Sequence, residues 1–133
     1  FWAGQYGMTI GGDDFIYEMN PLFYRIRKFS SKGELITSFG RKTRLFEIIT
    51  EEGKSPIIVY GPFYLDKGLI LAHVNKHLEI YDTNGNFIVG ELPFTQRIVD
   101  VRGNWLYTEL WGDEEDPQTL LNPMIVCYQI VAN

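Results

Sequence analysis

Cysteine is nearly absent from this chain, with Cys127 its single copy. A lone cysteine excludes an internal disulfide framework and a zinc site built on several thiolates. Its neighbours in Met124-Ile125-Val126-Cys127-Tyr128 are mostly apolar, so it is expected as a buried core thiol. Long hydrophobic runs are missing too, and no stretch reaches the length of a membrane-spanning helix. Basic residues are outnumbered, 12 Lys and Arg against 17 Asp and Glu, for a net charge of −5. That balance argues against nucleic acid as the main partner, because such binding rests on cations neutralising phosphates. Catalytic signatures are absent as well: no G-x-S-x-G, no phosphate-binding loop, no dinucleotide fingerprint. No signal-peptide pattern is legible, and the compartment stays open.

Glycine turns and aromatics are abundant: 13 glycines, and 15% Phe, Trp and Tyr. Flat rings pack well on pleated surfaces, and helical periodicity is scarce, so the chain reads as all-β. It also repeats itself. Ile16 to Gly40 and Leu69 to Gly90 follow one plan of strand, polar tip, strand, tight turn, strand, about fifty residues apart. Each unit opens on a further short strand, at Gly7 to Ile10 and at Phe63 to Leu65. Strands are therefore predicted at Ile16–Met19, Arg25–Phe29, Glu34–Phe39, Leu69–Val74, Leu78–Tyr81 and Phe87–Val89. A third, more divergent unit adds Arg97–Val101, Trp105–Trp111 and Met124–Val131. Ile26, Phe29, Leu35, Ile70, Leu78, Ile80 and Val99 are the expected core, and Asn84-Gly85 is expected to form a type I′ turn.

Four antiparallel strands per unit at this period describe the blade of a β-propeller. Ile16-Tyr17, Arg25-Ile26-Arg27-Lys28-Phe29, Gly33 and Ser38-Phe39-Gly40 resemble the NHL-repeat blade, whose pattern runs I-Y-V-A-D, N-H-R-I-Q-K-F, D-G, S-F-G. Leu78-Glu79-Ile80-Tyr81-Asp82 and Gly85 follow it more loosely. The family's strand-end Asp is replaced by Asn20 and His73, and its Asn-His tip by Phe23-Tyr24, so no binding residue carries over. The resemblance implies a six-bladed propeller of which about three blades are present, near 7–40, 61–90 and 97–133. Since Val131-Ala132-Asn133 falls where a hairpin turn should begin, the chain is expected to be part of a longer polypeptide, or else to close by self-association.

In an up-and-down blade the loops sort onto two faces. Tight turns fall on one; the long segments Arg41–Pro56, Glu91–Gln96 and Gly112–Pro123 fall on the other, where function usually resides. Thr43 to Gly53 is patterned for a short capped helix. Tyr24, Arg25 and Trp111 lie at or near tips on the loop-rich face and are residue types that anchor interfaces. His73 and His77 flank the second tip, Asn75-Lys76-His77, and join them as partner-binding candidates, while no further ligands stand near enough in sequence for a metal. Gly112-Asp113-Glu114-Glu115-Asp116 lacks the alternating oxygen spacing of a calcium loop and reads as a solvated acidic segment. The expected function is a non-enzymatic scaffold that binds a protein partner without a cofactor. The alternative is a propeller lyase or lactonase whose metal site draws residues from outside this chain.

Overall fold

The computed structural model describes residues 7–20, 24–40, 59–74, 76–110 and 124–131. All regular structure among them is β-strand, and every pairing is antiparallel. No helix among the described residues is long and apolar enough to cross a membrane. The chain divides into two compact units, residues 1–94 and 95–133.

The first unit holds two four-stranded sheets of identical up-and-down order. One comprises β1 (Gly7–Ile10), β2 (Ile16–Asn20), β3 (Arg25–Phe29) and β4 (Leu35–Phe39). The other comprises β5 (Val59–Leu65), β6 (Leu69–Val74), β7 (His77–Asp82) and β8 (Phe87–Pro93). β1, β3 and β4 are displaced from β5, β7 and β8 by one constant offset (Gly7 to Val59, Arg25 to His77, Leu35 to Phe87). The expected strands are therefore present, several of them a few residues longer. His77, expected within the tip, instead opens β7, paired with Val74 and Pro93.

The hairpin loops repeat to the level of single hydrogen bonds. Ser30 donates its N–H to the Glu34 carbonyl (2.8 Å) and accepts at its own carbonyl from Gly33 (2.9 Å). Asp82 does the same with Asn86 (2.9 Å) and Gly85 (3.1 Å). Gly33 and Gly85 both stand at φ +88°. The expected type I′ turn is thus corrected. Asn84 does not share the positive φ that such a turn requires at both central residues, and the loop is a type I turn closed by a left-handed glycine. The side chain before the loop explains the preference: Asp82 Oδ1 accepts the N–H groups of Asn84 and Asn86, both at 2.9 Å, which holds the wider loop in place.

The two sheets pack face to face. Tyr17, Met19, Ile26 and Phe39 of the first meet Ile70, Ala72, Val74 and Tyr81 of the second, with Tyr24 buried among them. β1 and β5 come close enough that a Cβ on Gly7 would overlap the Gly61 carbonyl, so this approach requires glycine. The Phe39 and Tyr81 rings lie 5.3 Å apart, and a Cβ on Gly85 would stand 2.8 Å from the Phe39 ring. The hairpin loop of one sheet is thereby seated on a side chain of the other.

The second unit is a three-stranded sheet in the order β9 (Arg97–Arg102), β10 (Trp105–Leu110), β11 (Met124–Gln129). Ile98, Leu106 and Thr108 are its buried residues. Gly103 alone carries positive φ in the tight β9–β10 turn, the sign pattern of a type II′ hairpin.

Ile26, Ile70, Leu78 and Ile80 are buried as expected, and Phe29 is half-buried. Three expectations are overturned. Leu35 is 58% exposed because it opens an outer strand on the face turned away from the sheet interface. Val99 is 45% exposed because a bulge in β9 leaves it without a cross-strand partner. Cys127 is exposed, since it pairs with Tyr107 on the face opposite Leu106 and Thr108. The proposed helix in Arg41–Pro56 lies outside the described residues, as do the acidic segment 112–116 and Trp111.

Candidate functional site

Where β3 and β7 face one another, four polar side chains form a chain. Glu79, almost fully buried on β7, accepts a hydrogen bond from the Tyr81 hydroxyl (3.3 Å). Because the Tyr81 hydroxyl donates its one hydrogen to Glu79, it accepts from the Tyr24 hydroxyl, 3.3 Å away. His77 Nε2 stands 3.1 Å from the other Glu79 oxygen, with its ring near the surface. A buried carboxylate persists only when its lone pairs are occupied; here Tyr81 and His77 occupy them, and Tyr24 extends the chain into the first sheet. The chain therefore works as a polar seam between the sheets. Burial of Tyr24 at the core end of this seam fixes that residue as a packing element with its hydroxyl engaged.

Arg25 is latched to the next strand: Nη1 donates to the Gly40 carbonyl (3.1 Å), and Nη2 donates to the Ser38 carbonyl (2.9 Å) and hydroxyl (3.0 Å). The planar guanidinium suits such a fork, and it stiffens the end of β4. His73 is 3% exposed and lies between Tyr60 and Phe94. Its Nε2 is 2.9 Å from the Phe94 carbonyl, an acceptor only, so Nε2 carries the proton, and buried Nδ1 has no partner among the described residues. Burial away from water pushes the His73 pKa below its ordinary value, the Phe94 carbonyl partly opposing this and His77 adding to it. The two histidines do not converge. Val74 pairs with His77 and His73 with Leu78, so their side chains leave opposite faces of the sheet. Among the described residues no three His, Cys, Asp or Glu side chains cluster as metal ligands.

Two polar groups that sequence reasoning passed over are as firmly embedded. Lys28 Nζ, reaching across to the second sheet, donates to the Thr83 carbonyl (2.9 Å) and lies 4.2 Å from the centre of the Phe15 ring. Tyr17 donates to Asp13 Oδ2 at 2.6 Å, and burial together with that carboxylate drives its pKa far upward. The signal for Lys28 was its position. It stands two residues from Ile26 on β3, the same-face spacing of a residue that points inward.

A cleft of about 230 Å³ lies where β1 meets β5, lined by Gly7, Met8, Thr9, Tyr60, Pro62 and Phe63 among others. Its walls are mainly backbone, apolar and ring surface, to which Thr9 and Tyr60 add hydroxyls, and among the described residues no acid–base pair lines it. Comparison of the chain with protein-family models, with curated proteins and with solved structures finds no match.

Proposed function

We propose that this chain forms blades of an NHL-like β-propeller and acts as a non-enzymatic scaffold, holding a protein partner on the face that carries its long inter-strand segments. One observation carries the reading. A four-stranded module recurs, three of its strands at one constant offset and with the same bulged hairpin, and the two copies stack by their sheet faces. Stacked modules that leave their loops free are how propellers build binding surfaces. The described polar groups favour a scaffold over a reaction centre: Arg25, Lys28, His73 and Glu79 are each tied to groups that hold strands or sheets in place.

The test compares the two loop faces. A photoreactive amino acid at Trp111, expected on the loop-rich face, should crosslink a protein partner from a native extract, and one at Lys32, in a tight turn, should not. Equal capture at both positions would overturn the assignment of the face. Stoichiometric metal in the purified protein by elemental analysis would overturn the non-enzymatic reading in favour of a propeller hydrolase or lyase.

A further inference from the structure

The 82–86 hairpin loop carries a chemistry that its counterpart at 30–34 lacks. Of the 13 glycines in the chain, only Gly85 follows an asparagine. At the repeat offset Lys32 stands in place of Asn84, ahead of Gly33. An asparagine side chain ends in an acyl carbon one ring closure away from the next backbone nitrogen. A following glycine has no Cβ to block that approach. The asparagines at 86 and 104 are worse placed. Asn86 commits its amide to Asp82 Oδ2 (2.9 Å) and precedes Phe87, while Asn104 is half-buried ahead of Trp105. Asn84 is exposed, and its side-chain amide has no hydrogen-bond partner among the described residues.

We propose that Asn84 is a modification site, where the chain deamidates through Gly85 and so unseats this loop from the opposing sheet. The Gly85 nitrogen gives its proton to hydroxide and attacks Asn84 Cγ. A bond forms between that nitrogen and Cγ, the Cγ–Nδ2 bond breaks, and ammonia leaves with a proton taken from water. The product is a five-membered succinimide, and nothing is oxidised or reduced. Water then adds to either ring carbonyl. Opening on one side gives aspartate. Opening on the other gives isoaspartate, whose main chain runs through the former side chain and is longer by one carbon.

The fold sets the rate. The Asp82 carbonyl accepts the Gly85 N–H (3.1 Å), and Asp82 Oδ1 accepts the N–H groups of Asn84 and Asn86 on either side. Lys28 of the first sheet pins the same loop through the Thr83 carbonyl (2.9 Å). While these bonds last the Gly85 nitrogen keeps its proton, so ring closure waits on local opening. Its own bond is the longest of the backbone bonds that close the two loops, and the carboxylate bonds beside it are exposed. The consequence lies across the interface. Gly85 sits against the Phe39 ring, which packs on Tyr81 at 5.3 Å. An added main-chain carbon displaces Gly85 from that seat, and the new carboxylate is repelled by that of Asp82. The site is thus a one-way timer on the stacking of the two sheets, whether or not those sheets belong to a propeller.

Ageing the full chain in mildly alkaline buffer tests the proposal. Peptide mapping follows residue 84, and an isoaspartyl methyltransferase detects the isoaspartate. Conversion in urea, where the loop is open in every variant, gives the intrinsic rate. The native chain should convert at Asn84 more slowly than in urea, with Asn86 and Asn104 intact. Asp82→Ala and Lys28→Met should each speed native conversion about tenfold and leave the urea rate nearly the same. Asn84→Lys, which borrows the first loop's residue, should keep the native circular dichroism and show no conversion. Converted chain, separated by ion exchange through its added charge, should lose the nuclear Overhauser contacts between Phe39 and Gly85 that fresh chain shows. A native chain that keeps Asn84 intact while the chain in urea converts fully would overturn the proposal. So would native rates that match the urea rate in every variant. Converted chain that retains the Phe39–Gly85 contacts would overturn it as well.

Discussion

Gly33 and Gly85 adopt the same φ of +88°, yet their surroundings differ, which separates two costs that are usually confounded. A Cβ on Gly33 would meet nothing within 4 Å; one on Gly85 would press on Phe39. Gly33→Ala should therefore cost only the left-handed backbone penalty, about 1 kcal/mol. Gly85→Ala should cost about 2 kcal/mol or more, because overpacking is added. Urea denaturation of the two variants measures the difference, and Phe39→Leu should recover part of it in the Gly85 variant alone. His73 supplies a pH signature. Its folded pKa lies below 6.5, so the unfolded chain binds the proton more readily than the folded one in the window below that value. The contribution of this group is complete above pH 6.5 and declines as pH falls through it. Denaturation midpoints should be level between about pH 7 and 8 and drop toward about pH 5.5. His73→Gln should be less stable at neutral pH and lose most of that slope.

At the scale of the hairpin, the residue before each loop does the same work with different chemistry. Ser30 Oγ accepts the N–H groups of Lys32 (3.3 Å) and Glu34 (3.1 Å), where Asp82 uses a carboxylate at shorter range. Asp82→Ala should accordingly cost about 1 kcal/mol and Ser30→Ala about half as much. Asp82→Ser, which borrows the first loop's solution, should retain most of the stability at neutral pH. The hydrogen bonds from Asn86, Asn84 and Gly85 hold the Asp82 pKa below 3.8. The advantage of aspartate over serine is therefore present above that pH and fades as acid protonates it. Thermal melts of the three variants at about pH 7 and about pH 3 would check both statements.

Across the whole molecule, stability should concentrate where the sheets meet. β6 is paired on both sides, and its Ile70–Val74 segment is buried on both faces. Its amides should be the slowest to exchange, ahead of β11, which has a partner on one side only among the described residues. The polar seam is the second determinant. Tyr81→Phe removes the hydroxyl that joins Tyr24 to Glu79 and takes one donor away from a buried carboxylate. It should cost about 1–3 kcal/mol by urea denaturation. Lys28→Met, which severs the bond to Thr83, should fall in the same range and accelerate exchange in the 82–86 loop.

Strand positions and the repeat were legible from residue order because they depend on local chemistry. Alternation along Arg25–Phe29, breaks at Gly33 and Gly85, and polar residues before each loop act within a few bonds of the chain. Which face of a strand is covered has no local cause. Leu35, Val99 and Cys127 sit in sequences as apolar as those around Ile26 and Ile80, and period-2 alternation names two faces without saying which meets another sheet. The type of the 82–86 loop escaped for a related reason. Asn-Gly permits a two-residue turn, but the Asp82 carboxylate and the seat on Phe39 select the longer one. The polar seam was the least legible of all. Tyr24 lies far from Glu79 and Tyr81 in sequence, and only the stacking of one sheet on the other brings its hydroxyl to Tyr81, and through it to the buried carboxylate of Glu79.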